Sequence, residues 1–395
     1  MALQLRPIPS ETDAPLLILA RDPAVIEAAR LAAARLSVAP PRLVGSGQEA
    51  LRHLFSMGGK VRQLVCQPSA AGESWPALLA TARDPFAAAG VVVVREGGKP
   101  AAGISGVPPV AEALAEALRD AVVLQPDAPG ADSEDLALGM ARGEITVRYQ
   151  PVVRIADQCP VLVEGLARWH RRDEAPLGPD QFVPLAEQSG QVQDLTRAVA
   201  AAAFTELAAA PARIGASLSL NLPLAVLLEQ DVLTWLSHLM AHTGFPPHAL
   251  SLELTETTPV RDRPALRRAL WRLQRAGIPV LIDDMGLEED RAALLELPFA
   301  GIKLDRHLVA AMPRQRRARA EVERLTRRAH ARRMSVTAEG VSDARLWRAV
   351  AAAGVDNAQG YAVSRPLPAA ALRAWSRAWR GGLRRQRYPA PYVSR

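Results

Sequence analysis

Lysine is almost absent from this sequence. Lys60, Lys99 and Lys303 are the only three among 48 basic residues; the rest are arginines. Such a bias, with abundant Ala and Pro, reads as genome composition, so any lysine present is a departure from the default cation. Cysteine is also scarce. Cys66 and Cys159 stand far apart, which excludes a disulfide framework and a zinc cluster and fits a reducing, cytoplasmic setting. No apolar run approaches the ~20 residues that a membrane span needs. The opening MALQLRPIPSETD lacks the charged, apolar and small-residue order of a signal peptide. The net charge of +7 concentrates in arginine-rich stretches, notably 314–333, which holds no Phe, Trp or Tyr, and the C-terminal 381–395. A solvated helix face and a basic tail account for that pattern, and no nucleic-acid partner is expected.

What is present belongs to an ordinary globular protein. With 395 residues, 49% hydrophobic and 23% charged, the chain can bury two full-sized cores. LQPDAPGADSED is rich in Pro, Gly and Asp and reads as a linker over 124–135. It separates a first domain, 1–123, from a second, 136–380, with the tail 381–395 beyond.

The first domain alternates short apolar strands with helical patterns. PLLILA, PRLVG, VRQLVCQP and AGVVVV read as strands, 22–36 and 48–55 as helices, and 110–122 as a closing amphipathic helix. That is a small doubly wound α/β layout around a parallel sheet. After the linker, SEDLALGMARGE reads as a helix capped by Ser133. Eight strand candidates follow: TVRYQPVV, VLVEGLAR, ASLSLNL, LSLELTE, PVLIDDM, GIKLD, SVTAEGV and NAQGYAV, most of them followed by a helical segment. Eight strands with helical crossovers over about 250 residues predict a (β/α)8 barrel of the TIM type.

In such a barrel, function collects where strands end. Those ends carry Glu164, Asn221, Glu253 with Glu256, Asp283 with Asp284, Lys303 with Asp305, Glu339 and Gln359. No Ser, Cys or His is placed to serve as a nucleophile with a base. So many carboxylates at one mouth repel unless cations sit among them, and oxygen donors of this kind suit Mg2+ or Mn2+. Two adjacent aspartates allow one carboxylate to bridge two ions, the arrangement that activates water against a phosphodiester. Lys303, in a chain that otherwise uses Arg, offers a compact ammonium to hold a water or offset developing charge. Taken singly, each acid would pass as a helix cap or a solvated loop residue, and Asp305 reads as structural; the full set at successive strand ends is the signal.

The same residues, in the same order, resemble the EAL-domain cyclic di-GMP phosphodiesterases. The resemblance runs through YQPVV, EGLARW, PDQFVPLAEQSG, SLNLP, LELTET, IDDMG, GIKLD, TAEGV and QGYAVSRPLP. It implies two Mg2+ or Mn2+ ions held by Glu164, Asn221, Glu253, Asp283 and Asp284. It also implies that Lys303 orients or activates the attacking water, with Glu339 completing the metal and water shell. Gln359 would position groups at the centre, Arg168 would contact a substrate phosphate, Leu166 would pack against the ligand, and Glu256 would hold the loop after Asp284. The implied reaction is hydrolysis of cyclic di-GMP to linear pGpG, in a protein expected to form a homodimer. Two departures stand out. Gly165 replaces the Ala of the family's naming motif, and DDMGLEEDR replaces a small, neutral loop after the paired aspartates. A catalytically weak domain that binds cyclic di-GMP as a receptor, or a protein-interaction scaffold, is the alternative reading.

The first domain resembles a response-regulator receiver that has lost its chemistry. Its first strand offers only Asp22, its third ends in Cys66 and Gln67 where a phosphoacceptor Asp would stand, and Lys99-Pro100 resembles the Lys-Pro pair of receivers but follows soon after VVVV, on no clear strand. No phosphoacceptor is expected, and Cys66 is expected to be a buried structural residue.

Overall fold

The computed structural model describes residues 16–36, 39–55, 63–82, 90–96, 106–120, 131–172, 176–208, 214–255, 262–286 and 293–387. Lys60, Lys99, residues 121–130, Glu256, residues 287–292 and the last residues from 388 lie outside them. Two compact units divide the chain, one of Met1–Leu124 with Arg377–Gly382 and one of Gln125–Ser376 with Leu383–Arg395.

In the N-terminal unit, strands β1 (Leu16–Leu19), β2 (Arg42–Leu43), β3 (Gln63–Cys66) and β4 (Gly90–Val93) form a parallel sheet in the order β2-β1-β3-β4. β1 (LLIL), β3 (QLVC) and β4 (GVVV) are near-continuous apolar runs, as strands covered by helices are, while the edge strand β2 is exposed. Leu16, Ile18, Val65 and Val92 pack on Ala28, Ala29 and Ala32 of the helix Pro23–Arg35 and on Leu114 and Leu118 of the helix Ala111–Asp120. Alanine on the first of these helices lets it lie close to the sheet. Asp22 caps that helix by accepting from the Ala24 amide, so its carboxylate has a structural task. Gln67 closes the end of β3: its side-chain oxygen accepts from the backbone amides of Arg21 and Asp22 at 2.8 and 3.1 Å. Cys66 is fully buried, and burial, with Glu96 adding to it, pushes its thiol up to about 12.

The second unit is a closed barrel of eight strands: β5 (Ile145–Arg154), β6 (Pro160–Trp169), β7 (Ser217–Leu222), β8 (Leu250–Leu254), β9 (Val280–Met285), β10 (Gly301–Leu304), β11 (Ser335–Ala338) and β12 (Asn357–Gln359). All eight expected strands are present, but the barrel is not uniformly parallel. β5 runs antiparallel to both of its neighbours, β6 and β12. Only residues 155–159 join β5 to β6, and a parallel crossover needs a dozen residues or more. The link is a turn, with Gln158 at φ 59° and Asp157 accepting from the Cys159 amide.

Strand alternation separates the two faces. In β7, SLSLNL sets Leu218, Leu220 and Leu222 in the core and turns Ser219 and Asn221 to the other face. The helix ahead of the barrel starts at Ser133 but is capped by Asp132, which accepts from Glu134 and Asp135 in a capping box; the expected cap was one residue late. Asp305 is structural, capping the helix Arg306–Ala311 by accepting from His307 and Leu308. The last helix, Ala369–Arg387, runs beyond residue 380 into the stretch read as a tail.

Candidate active site

The barrel mouth gathers acids around one ammonium. Lys303, in the middle of β10, is 2% exposed. Its Nζ lies 3.2 Å from Glu164 Oε2, 2.6 Å from Glu253 Oε2, 3.2 Å from Asp283 Oδ1 and 2.5 Å from Glu339 Oε1. These acids come from β6, β8, β9 and the residue after β11, so the closure of the sheet brings them together. Burial alone would drive Lys303 to lose its proton, but the four carboxylates outweigh it and hold its pKa well above the usual lysine range. The acids thus favour the ammonium form.

The acids pay unequally for their burial. Burial raises Glu253 well above the ordinary carboxylate range and raises Asp283 as well, with Lys303 pulling both the other way. Glu339 is pushed up to about 8, again chiefly by burial. Glu164 is lowered: burial is opposed by Lys303 and by hydrogen bonds from Gln359 and Asn221. One ammonium is too little charge for this many carboxylates, so the site is short of cations.

Two adjacent aspartates in a regular strand would point to opposite faces. β9 avoids this with a bulge. Ile302 pairs with Ile282 and Leu304 with Met285, so Asp283 and Asp284 together oppose the single residue Lys303. Asp284 absorbs the irregularity with φ 52°, a left-handed conformation that Asp tolerates better than most residues. Carboxylate oxygens of Asp283, Asp284 and Glu339 consequently lie within 4.8 Å of one another, a spacing suited to a shared metal ion. Met285 then returns to the core, 1% exposed.

The remaining expected residues surround this centre. Asn221 Nδ2 donates to Glu164 Oε1 at 3.2 Å. Gln359 Nε2 donates to Glu164 Oε2 at 2.5 Å. Asn221 Oδ1, Glu253 Oε1 and Gln359 Oε1 are buried and accept no hydrogen bond among the described residues. Unpartnered hard oxygen donors beside an acid cluster are the donor set that Mg2+ or Mn2+ takes. Leu166 and Arg168 are half-buried and follow Glu164 at alternate positions of β6, on its face of the strand. Glu256 and the acidic stretch 288–290 lie outside the described residues. One participant was missed in the sequence. Gln150 of β5 stands opposite Glu164 in register, and its Oε1 accepts from Gln359 Nε2 at 3.3 Å. Its signal was a polar residue inside the otherwise apolar YQPVV.

Gly165 has a packing reason. A methyl group there would come within 2.7 Å of Leu220 Cδ2 and 3.3 Å of Val147 Cγ1. A leucine branch thus fills the space beside the smaller residue.

Among known proteins, the profile of the EAL domain matches residues 133–366. An uncharacterized signaling protein of Caulobacter vibrioides is 32% identical over 250 residues, covering 62% of this chain and 30% of the relative. The cyclic di-GMP phosphodiesterase NbdA of Pseudomonas aeruginosa is 29% identical over 255 residues, covering 62% of this chain and 32% of its own. The chain thus spans about a third of the length of these curated relatives. The solved structure of the phosphodiesterase PaMucR in complex with c-di-GMP is 25% identical with a TM-score of 0.55, covering 60% of this chain and 96% of that one.

Proposed function

The chain belongs to the EAL-domain family, and from that premise we propose that its barrel hydrolyses cyclic di-GMP to linear pGpG. The observation that carries the reading is the convergence of Glu164, Asn221, Glu253, Asp283, Asp284, Lys303, Glu339 and Gln359, with no expected metal-binding residue replaced. The relatives named as cyclic di-GMP phosphodiesterases, and the c-di-GMP complex of PaMucR, supply the substrate class.

Glu164, Asn221, Glu253, Asp283 and Asp284 would hold two Mg2+ or Mn2+ ions, with Glu339 completing the shell. When bound, such ions lower the pKa of a water and neutralise charge on the phosphodiester. The chain's own residues do the rest. Lys303 would orient or activate the attacking water, its Nζ offering hydrogen bonds and positive charge from among the acids. Arg168 presents its guanidinium to a phosphate oxygen, and Leu166 packs on the ligand. The water oxygen bonds to phosphorus, the bond to one ribose 3′ oxygen breaks, and the water's proton ends on that oxygen.

The same proposal includes a cytoplasmic homodimer governed through the N-terminal unit. That unit is read as a receiver-like module with no phosphoacceptor, because Gln67 stands at the end of β3 with its amide engaged by the turn after β1.

The test is purified protein with Mn2+ or Mg2+ and cyclic di-GMP, with products separated by chromatography. pGpG is expected, and Glu164→Ala should reduce it by at least a hundredfold, a loss on the order of that seen when a preorganised charge-stabilising group is removed. Binding without product over hours would replace the enzyme by a receptor.

A further inference from the structure

We infer that Gln150 is a positioning residue for the metal centre, setting the direction of the Gln359 amide and, through it, the Glu164 carboxylate. This rests on the reading of Glu164 as a metal ligand.

The geometry is a relay of amides. Gln150 Nε2 donates to the Ser364 carbonyl at 3.1 Å. Its Oε1 accepts from Gln359 Nε2 at 3.3 Å, and the same Nε2 donates to Glu164 Oε2. A backbone carbonyl can only accept. Ser364 therefore fixes the NH2 group of Gln150 toward itself and the oxygen toward Gln359. Gln359 must then turn its own NH2 toward Gln150 and Glu164. Reversing Gln150 would set oxygen against oxygen at Ser364 and NH2 against NH2 at Gln359. One backbone carbonyl thus fixes the polarity of two side chains in succession.

The anchor is firm. Ser364 is fully buried and its amide donates to the Gly360 carbonyl at 3.0 Å. Nearby, Leu367 exchanges backbone hydrogen bonds with Tyr149, the residue before Gln150, at 2.8 and 3.0 Å. The far end of the relay matters in two ways. Glu164 Oε2 receives both Gln359 and Lys303, while Asn221 binds Oε1, so Gln359 is one of three donors that orient the carboxylate. The relay also leaves Gln359 Oε1 as a buried acceptor with no partner among the described residues, 3% exposed as a residue. The strand that supplies Gln150 is β5, which lies between β6 and β12 in the closed barrel and so between the strands of the two residues that the relay joins.

The test is a double-mutant cycle in Mn2+ affinity, by calorimetry on the full chain. Outer partners of metal ligands typically control affinity by 10–100-fold. Gln150→Leu is expected to weaken Mn2+ binding about tenfold, Gln359→Leu at least as much, and the double variant no more than Gln359→Leu alone. That non-additivity marks a residue acting through its neighbour. Additive losses, or wild-type affinity in Gln150→Leu, would overturn the inference. Should Gln150→Leu fail to fold, Gln150→Met, closer in length, replaces it. The result also separates this inference from the proposed reaction. An intact cycle with no pGpG formed would remove the phosphodiesterase and leave Gln150 its role, whereas wild-type protein that binds no Mn2+ would remove both.

Discussion

Lys303 shows how a single side chain reconciles a set of acids that could not otherwise be buried together. Four carboxylates lie within 3.2 Å of its Nζ, which makes the lysine the chain's own cation in the acid cluster. Deleting the cation of a buried ion pair commonly costs about 3–5 kcal/mol, because uncompensated charge stays behind. Lys303→Met is therefore expected to lose roughly that much stability in EDTA and to recover a large part of it in saturating Mn2+, which replaces the missing charge. Urea denaturation under the two conditions measures this, and an equal loss in both would contradict it. The lysine was legible in the sequence as the odd cation of an arginine-rich chain. The bulge at Asp283 and Asp284 was not. Two neighbouring aspartates look alike whether they share a face or straddle a strand; only the pairing of Ile282 and Met285 with the residues on either side of Lys303 shows that they share one.

At the level of elements, the sequence announced every barrel strand because each is an apolar or alternating run of the right length. It did not announce the direction of the first. That direction depends on a linker too short for a helix, and counting strands is blind to it. The naming-motif departure also changes meaning once the strands are packed. Gly165 stands where the family has alanine, and Leu220 occupies the room that an alanine methyl would need. Gly165→Ala gains about 0.5–1 kcal/mol in backbone entropy and displaces the far end of a flexible leucine. The net change is expected to stay within about 1 kcal/mol, below the usual range for overpacking, with Mn2+ affinity unchanged. A loss above about 3 kcal/mol in urea denaturation would show that Leu220 cannot yield. The one helix cap read from the sequence was off by one residue: Asp132 and Ser133 are both good caps, and sequence alone does not rank them.

For the whole molecule, the two units have separate cores, and every proposed metal ligand sits in the second. Metal should therefore stabilise one unit selectively. Scanning calorimetry of the full chain is expected to show a transition raised by Mn2+ and lowered by EDTA, and another that neither reagent moves. A uniform shift of all transitions would mean that the units unfold as one. The doubly wound layout of the first unit was legible from its strand and helix alternation, whereas Gln67 reaching back to Arg21 and Asp22 was not, because nothing local in LVCQP reveals a partner more than forty residues away.

The antiparallel first strand also bears on the order of folding. β5 must wait for β12, the last strand made, before both its edges are paired. Gln359 reaches Glu164 across 195 residues of chain, and Gln150 reaches Ser364 across 214. Such distant pairings form late, since loop closure precedes any gain from contact. Asn221 and Gln150 precede the final strand, so of the amides around Glu164 only Gln359 arrives with it. The charged groups of the centre thus all precede the last strand, and what that strand adds is the closing of the sheet and the Gln359 amide.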